Sequence, residues 1–242
     1  VSRTGDVYNL PAEEHPDGDR KRGRPWLLVH TPSAEAAFWT FAYGTTQDTE
    51  AVAGATALDL RWRRLSGQFT ESRFFTVRLR SELPEAAGER VGHARGRSAD
   101  IRAALFADLG IGTGIGFGAA GSMERGQVVA LHSLVRDRIG ASYAVLVTRP
   151  AYGVLRRYQL LVPIYAAGAV DVLVGEILCS APWVRALPGE PSNVVIAVPS
   201  LFSECESGRP RRPGGIVGVT RARVDHESMA AIDDALVSYF DL

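Results

Sequence analysis

Lysine is nearly absent from this 242-residue chain: Lys21 is the only one, and the remaining basic charge is arginine. Arginine suits phosphate geometry, but a GC-rich coding bias accounts for the skew equally well and is the reading preferred. Cysteine is scarce too. Cys179 and Cys205 stand far apart without metal-ligand spacing and read as free thiols. The five histidines (His15, His30, His93, His132, His226) form no HExxH or His-x-His cluster, so no metal site and no cofactor is expected. No run of 18 apolar residues occurs, which excludes a transmembrane helix. The stretch Val1-Ser2-Arg3-Thr4-Gly5-Asp6 has no apolar signal region, and a cytoplasmic protein is expected. Acidic and basic residues balance to a net charge of zero, so no global field draws in nucleic acid. Any anionic ligand must be met by a local patch.

What is present is β-rich and begins twice. Gly5 to Leu10 reads as a first strand and Trp26 to Thr31 as a second. The third runs from Phe38 to Tyr43, into the turn Gly44-Thr45-Thr46-Gln47-Asp48. Ala57 to Trp62 and Phe74 to Leu79 add a fourth and a fifth. Ile101, Leu105 and Leu109 then repeat at helical spacing, after Ser98 as N-cap and before Gly110 as stop. Gly116-x-Gly118-x-x-Gly121 formally matches GxGxxG. A helix precedes it and a strand follows, the reverse of a dinucleotide-binding context, so a flexible linker is the better reading.

After the linker the order repeats. Arg125 to Leu131 echoes the first strand, Tyr143 to Thr148 the second and Tyr158 to Tyr165 the third, with Leu134 to Gly140 as a charged loop. Asn193 to Val198 is a further strand, and an amphipathic helix with Asp225 as N-cap ends the chain. A repeat of about half the chain is a duplication and not a solenoid. The expected domains are residues 1–111, a Gly-rich linker at 112–123, and residues 124–242.

Three features coincide in the first half: Gly5-Asp6-Val7-Tyr8, the junction Gly23-Arg24-Pro25-Trp26-Leu27-Leu28-Val29 after a polar loop, and Ala42-Tyr43-Gly44-Thr45-Thr46-Gln47. Their order and spacing resemble the MazF/PemK family of toxin endoribonucleases. Residues 125–242 resemble it more weakly, best at Asp225 to Leu242. The resemblance implies two tandem SH3-like β-barrels, each closed by a C-terminal α-helix, packed as an intrachain pseudo-dimer. It also implies metal-independent cleavage of single-stranded RNA by attack of the substrate's own 2′-OH.

By this resemblance Arg24 takes the phosphate-binding position and Thr45 the hydroxyl position, with Thr46 one residue away as the alternative. Arg20, Lys21, Arg22, Trp26, Arg61, Arg63 and Arg78 are the further candidates for RNA contact, beside Arg64, Arg73 and Arg80. A solvated sheet face explains exposed arginines equally well. No histidine or carboxylate stands clearly placed as a general base. In the second copy Ser142-Tyr143 occupies the Arg-Pro position and Tyr165 the threonine position, so one active site per chain is expected. The implied partners are single-stranded RNA and an antitoxin protein, with further homodimerisation open. The alternative is an inactive module that binds RNA or a protein through the same groove. A gyrase poison of the related CcdB type, whose family ends in Trp-Gly-Ile, fits the Tyr239-Phe240-Asp241-Leu242 ending poorly.

Overall fold

The computed structural model describes residues 3–11, 24–31, 39–45, 57–82, 84–111, 123–149, 158–168, 176–189, 193–204 and 215–241. The chain is mainly β, with two sheets and three α-helices. In the first half, β1 (Asp6–Asn9), β2 (Trp26–His30), β3 (Trp39–Thr45), β4 (Ala57–Arg64), β5 (Phe69–Glu82) and β6 (Glu89–His93) pair antiparallel in the order β1-β2-β3-β5-β4-β6. Pairing of β6 with β1 closes the ring. Residues alternate across each strand: on β4, Leu60 and Trp62 are buried while Asp59, Arg61 and Arg63 face out. Helix α1 (Ser98–Leu109) lays Ile101, Leu105 and Leu109 into the core, and Gly110 stops it in the left-handed region at φ 62°.

The second half contains β7 (Gln127–Leu131), α2 (Ser133–Ile139), β8 (Tyr143–Leu146), β9 (Gln159–Ala166), β10 (Glu176–Cys179), β11 (Val194–Ala197), β12 (Phe202–Glu204), β13 (Ile216–Arg223) and α3 (His226–Asp241). Its main path runs β10-β11-β9-β8-β7-β13, and β12 also pairs with β9. Written as β13-β7-β8-β9-β11-β10, this repeats β6-β1-β2-β3-β5-β4 strand for strand. Single hydrogen bonds repeat as well. The Gly5 N–H donates to the Leu28 carbonyl, and the Gly126 N–H donates to that of Leu146, both at 2.8 Å. The carbonyls of Gly5 and Gly126 accept from Ala94 and Val224 in turn. The halves differ in closure: β4 pairs with β6, whereas β10 and β13 are opposite edges of an open sheet among the described residues.

The two halves share one buried core, running from Val7 and Leu27 through Leu105 and Val145 to Ile232 and Leu236. Where β5 meets β12 the contacts are reciprocal. Ser81 Oγ donates to the Leu201 carbonyl at 2.8 Å, and Ser203 Oγ donates to the Leu79 carbonyl at 2.9 Å. Each serine thus grips the residue two before its counterpart, the pattern of an isologous contact. The end of α3 lies against the first half, with the Tyr239 ring 4.3 Å and the Phe240 ring 5.1 Å from the His30 ring. Burial pushes the Tyr239 phenol up to about 12. Arg125, wholly buried, donates from Nε to the Leu109 carbonyl at the end of α1 and pairs with Asp233 on α3.

Several expectations need correction. Leu134 to Gly140 is not a loop. It lies in α2, begun by the His132 side chain accepting from the Leu134 N–H and ended at Gly140, φ 73°. Ser98 is the first residue of α1 and not its cap, since Arg97 stands at N-cap without a side-chain hydrogen bond. Asp225 does cap α3, accepting from the Ser228 N–H at 2.8 Å. β5 is far longer than Phe74 to Leu79, because pairing with both β3 and β4 extends it. The count of about five strands per half is low, and the second half is a sheet and not a closed ring among the described residues. The Gly-rich stretch lies outside them at residues 112–122.

Candidate functional site

Arg24 stands just before β2, and Thr45 ends β3. Antiparallel pairing of Trp26 with Tyr43 brings the two positions together. Arg24 Nη1 donates to Thr45 Oγ1 at 2.7 Å. Thr45 is only 1% exposed, so its hydroxyl serves to hold the guanidinium, while Arg24 itself is half-buried at the rim. Gly44 is required between them and their support. A β-carbon there would lie 2.7 Å from the Pro25 carbonyl oxygen and collide with the Phe74 ring.

Beside this pair stands a stack drawn from both halves. The Arg78 guanidinium lies 3.8 Å from the Tyr43 ring centroid and 5.1 Å from that of Tyr158. Arg78 falls between the two segments of β5 that pair with β3, where the register shifts. That irregularity accompanies the placement of Arg78 over Tyr43. Trp26 meets Tyr43 edge-on at 5.5 Å and is buried, so it supports the site from beneath and offers no open face. Arg80 lies over Trp26 and pairs with Glu82.

The other candidates lie further off. Thr45, Arg73 and Asp59 form one cross-strand row, in which Arg73 grips Asp59 through two hydrogen bonds at 2.8 and 3.3 Å. Arg61 and Arg63 continue outward along β4, with Arg61 over the exposed Phe69 ring. Arg64 donates to Thr70. The structure therefore groups Arg24, Thr45 and Arg78, and separates Arg61 and Arg63 from them. Arg20, Lys21, Arg22 and Thr46 lie outside the described residues. Tyr43 and Tyr158 were not singled out as site residues. The signal for Tyr43 was its place two residues before Thr45 on the same face of a strand; Tyr158 carried none, because it arrives from the other half.

Nearby carboxylates are occupied: Asp59 by Arg73 and Glu82 by Arg80. His93 is held below the usual histidine value by burial and by Arg95 and Arg90, but it pairs in register with Arg63, away from Arg24. The second half fills its equivalent position. Strand register aligns Ser142 with Arg24 and Tyr165 with Thr45. The Tyr165 hydroxyl donates to the Ile139 carbonyl at 2.8 Å, so α2 ends on it. Burial raises the Tyr165 pKa above its ordinary value. No arginine stands at the aligned Ser142. A scan against protein-family models and a search of curated proteins found no match to the chain.

Proposed function

We propose that the chain is a toxin-type, metal-independent endoribonuclease acting on single-stranded RNA, with one site per chain in the first half. The observation that carries this reading is the Arg24 guanidinium held at the rim by the buried Thr45 hydroxyl at 2.7 Å. A fixed, permanently charged fork suits the non-bridging oxygens of a phosphodiester. As the substrate 2′-OH attacks phosphorus and the bond to the 5′ oxygen breaks, charge builds on those oxygens and Arg24 stabilises it. The products are a cyclic phosphate and a 5′-OH. The 2′ proton leaves to a base and the 5′ oxygen gains one, roles for which the described residues offer no uncommitted carboxylate. Arg78, stacked between Tyr43 and Tyr158, extends the charge toward a neighbouring phosphate or base.

In the same reading the first ring is an SH3-like barrel closed by α1, and the second half is an opened copy packed on it as an intrachain pseudo-dimer. Repetition of the strand order and the reciprocal Ser81 and Ser203 contacts support that. An antitoxin would bind over the Arg24 site.

The engagement of Asp59 and Glu82 by arginines favours a second reading, an RNA-binding module without cleavage. One experiment separates them: incubation of mixed-sequence single-stranded RNA with wild type and Arg24→Ala in EDTA. Cleavage to cyclic-phosphate ends, lost in the variant, establishes the nuclease. Salt-sensitive retention of RNA without cleavage establishes the binding module. Equal cleavage by both proteins rejects the assignment of Arg24.

A further inference from the structure

A second site lies away from Arg24, where the two halves meet. A cavity of about 190 Å³ is lined by Thr4, His30, Arg102 and the first residue of α1, Ser98, together with Leu105 and Phe240. His30 is 3% exposed, and its Nε2 has no hydrogen-bond partner among the described residues. A buried polar atom without a partner is costly, and here it belongs to a wall of an open space. No carboxylate lines the cavity. α1 is a 12-residue helix whose N-cap, Arg97, makes no side-chain hydrogen bond, so the positive end of its dipole faces this region uncapped by a side chain.

The second half shows how the same place looks when filled. The repeated backbone hydrogen bonds align Thr4 with Arg125 and, two residues beyond the matched Leu28 and Leu146, His30 with Thr148. Counting from the two helix caps aligns Leu105 with Asp233. At the filled position Arg125 reaches the end of the opposite helix and pairs with Asp233. The Thr148 hydroxyl accepts the Leu160 N–H at 2.6 Å. The second half thus supplies its own carboxylate to an arginine, whereas the first half has an arginine, an unpartnered imidazole nitrogen and empty volume.

We propose that the cavity is a binding site for a small oxyanion, a phosphate or carboxylate compound of a few heavy atoms. Arg102 and the N-terminal turn of α1 supply the charge complement, with His30 Nε2, Thr4 and Ser98 as hydrogen-bonding groups. Size sets the upper limit: the cavity is smaller than the roughly 300–1,000 Å³ of sites for drug-sized ligands. A nucleotide is therefore excluded. The site touches α3 through Phe240, so its occupant would tie the C-terminal helix to the first ring.

The test is a titration of the full chain with inorganic phosphate, and separately with malonate, at constant ionic strength. The His30 imidazole signals are followed by NMR and assigned through His30→Gln. Saturable shifts are expected at millimolar concentration, with affinity at least tenfold weaker in Arg102→Gln, an exposed position where the fold tolerates change. The stronger of the two anions identifies the headgroup. Absence of saturation with either anion, an equal response to sodium chloride, or unchanged affinity in Arg102→Gln would each overturn the proposal. RNA enters none of these measurements, so their outcome is independent of the nuclease reading.

Discussion

A single hydrogen bond decides how Arg24 behaves. Removing an anion-stabilising donor of this kind costs about 100- to 1,000-fold in rate, and Arg24→Ala should lose that much cleavage. Thr45→Val keeps the charge but loses the bond that fixes it. A hydrogen bond to a charged group is worth about 1.5–3 kcal/mol, so the expected loss is smaller, about tenfold to a hundredfold, in the same assay. His30 gives a pH dependence. Burial lowers its pKa from 6.5 to about 4. The folded state therefore disfavours the protonated ring, and the full benefit of the neutral form is present above pH 6.5. It is lost progressively as pH falls toward 4, about 3 kcal/mol in all. Urea titrations at pH 7.5 and pH 4 should show that difference shrink in His30→Gln; an unchanged difference would assign the acid sensitivity to other groups. Arg125 belongs at this scale as well. Arg125→Met leaves Asp233 beside a buried, vacated site and should cost about 3–5 kcal/mol. Adding Asp233→Leu should recover much of it in the same titrations.

Among the elements, β3 and α3 show what local sequence determines and what it leaves open. Asp225 was readable as the N-cap of α3, and Asp225→Ala should cost about 1 kcal/mol by thermal or chemical unfolding. Gly110 was readable as the stop of α1, because an αL position after a helical repeat favours glycine. The turn after Tyr43 was readable, and with it the approach of Thr45 to Arg24. α2 was not, because Ser133–Ile139 is short and buries only Val135, so no apolar stripe stands out. β6 and β13 were missed for a different reason. Glu89–His93 carries charge and a glycine, and Ile216–Arg223 carries Gly218 and two arginines. Ring closure and edge pairing hold them, and both depend on residues far along the chain. The Arg78 stack was invisible for the same cause, since half of it comes from Tyr158. Gly44→Ala tests β3 directly: a β-carbon against Pro25 and Phe74 should destabilise by about 1–3 kcal/mol and reduce activity along with stability.

At the scale of the whole molecule, one buried core joins residues from both halves. The chain should therefore unfold in one cooperative transition, with calorimetric and van't Hoff enthalpies equal. Two resolved transitions would mean that the halves are stable separately. The reciprocal grip of Ser81 and Ser203 has a consequence of another kind. In a pair of identical chains every inherited change strikes both sides of the symmetry axis at once, so a site cannot be abandoned on one side and kept on the other. Two copies in one reading frame mutate independently. Such a chain can carry Arg24 in one copy and Ser142 in the other, and it can keep a helix end on Tyr165 while leaving the rim beside Thr45 open. Its lineage can then refine one copy under selection while the other, released from that duty, drifts as far as the shared contact allows.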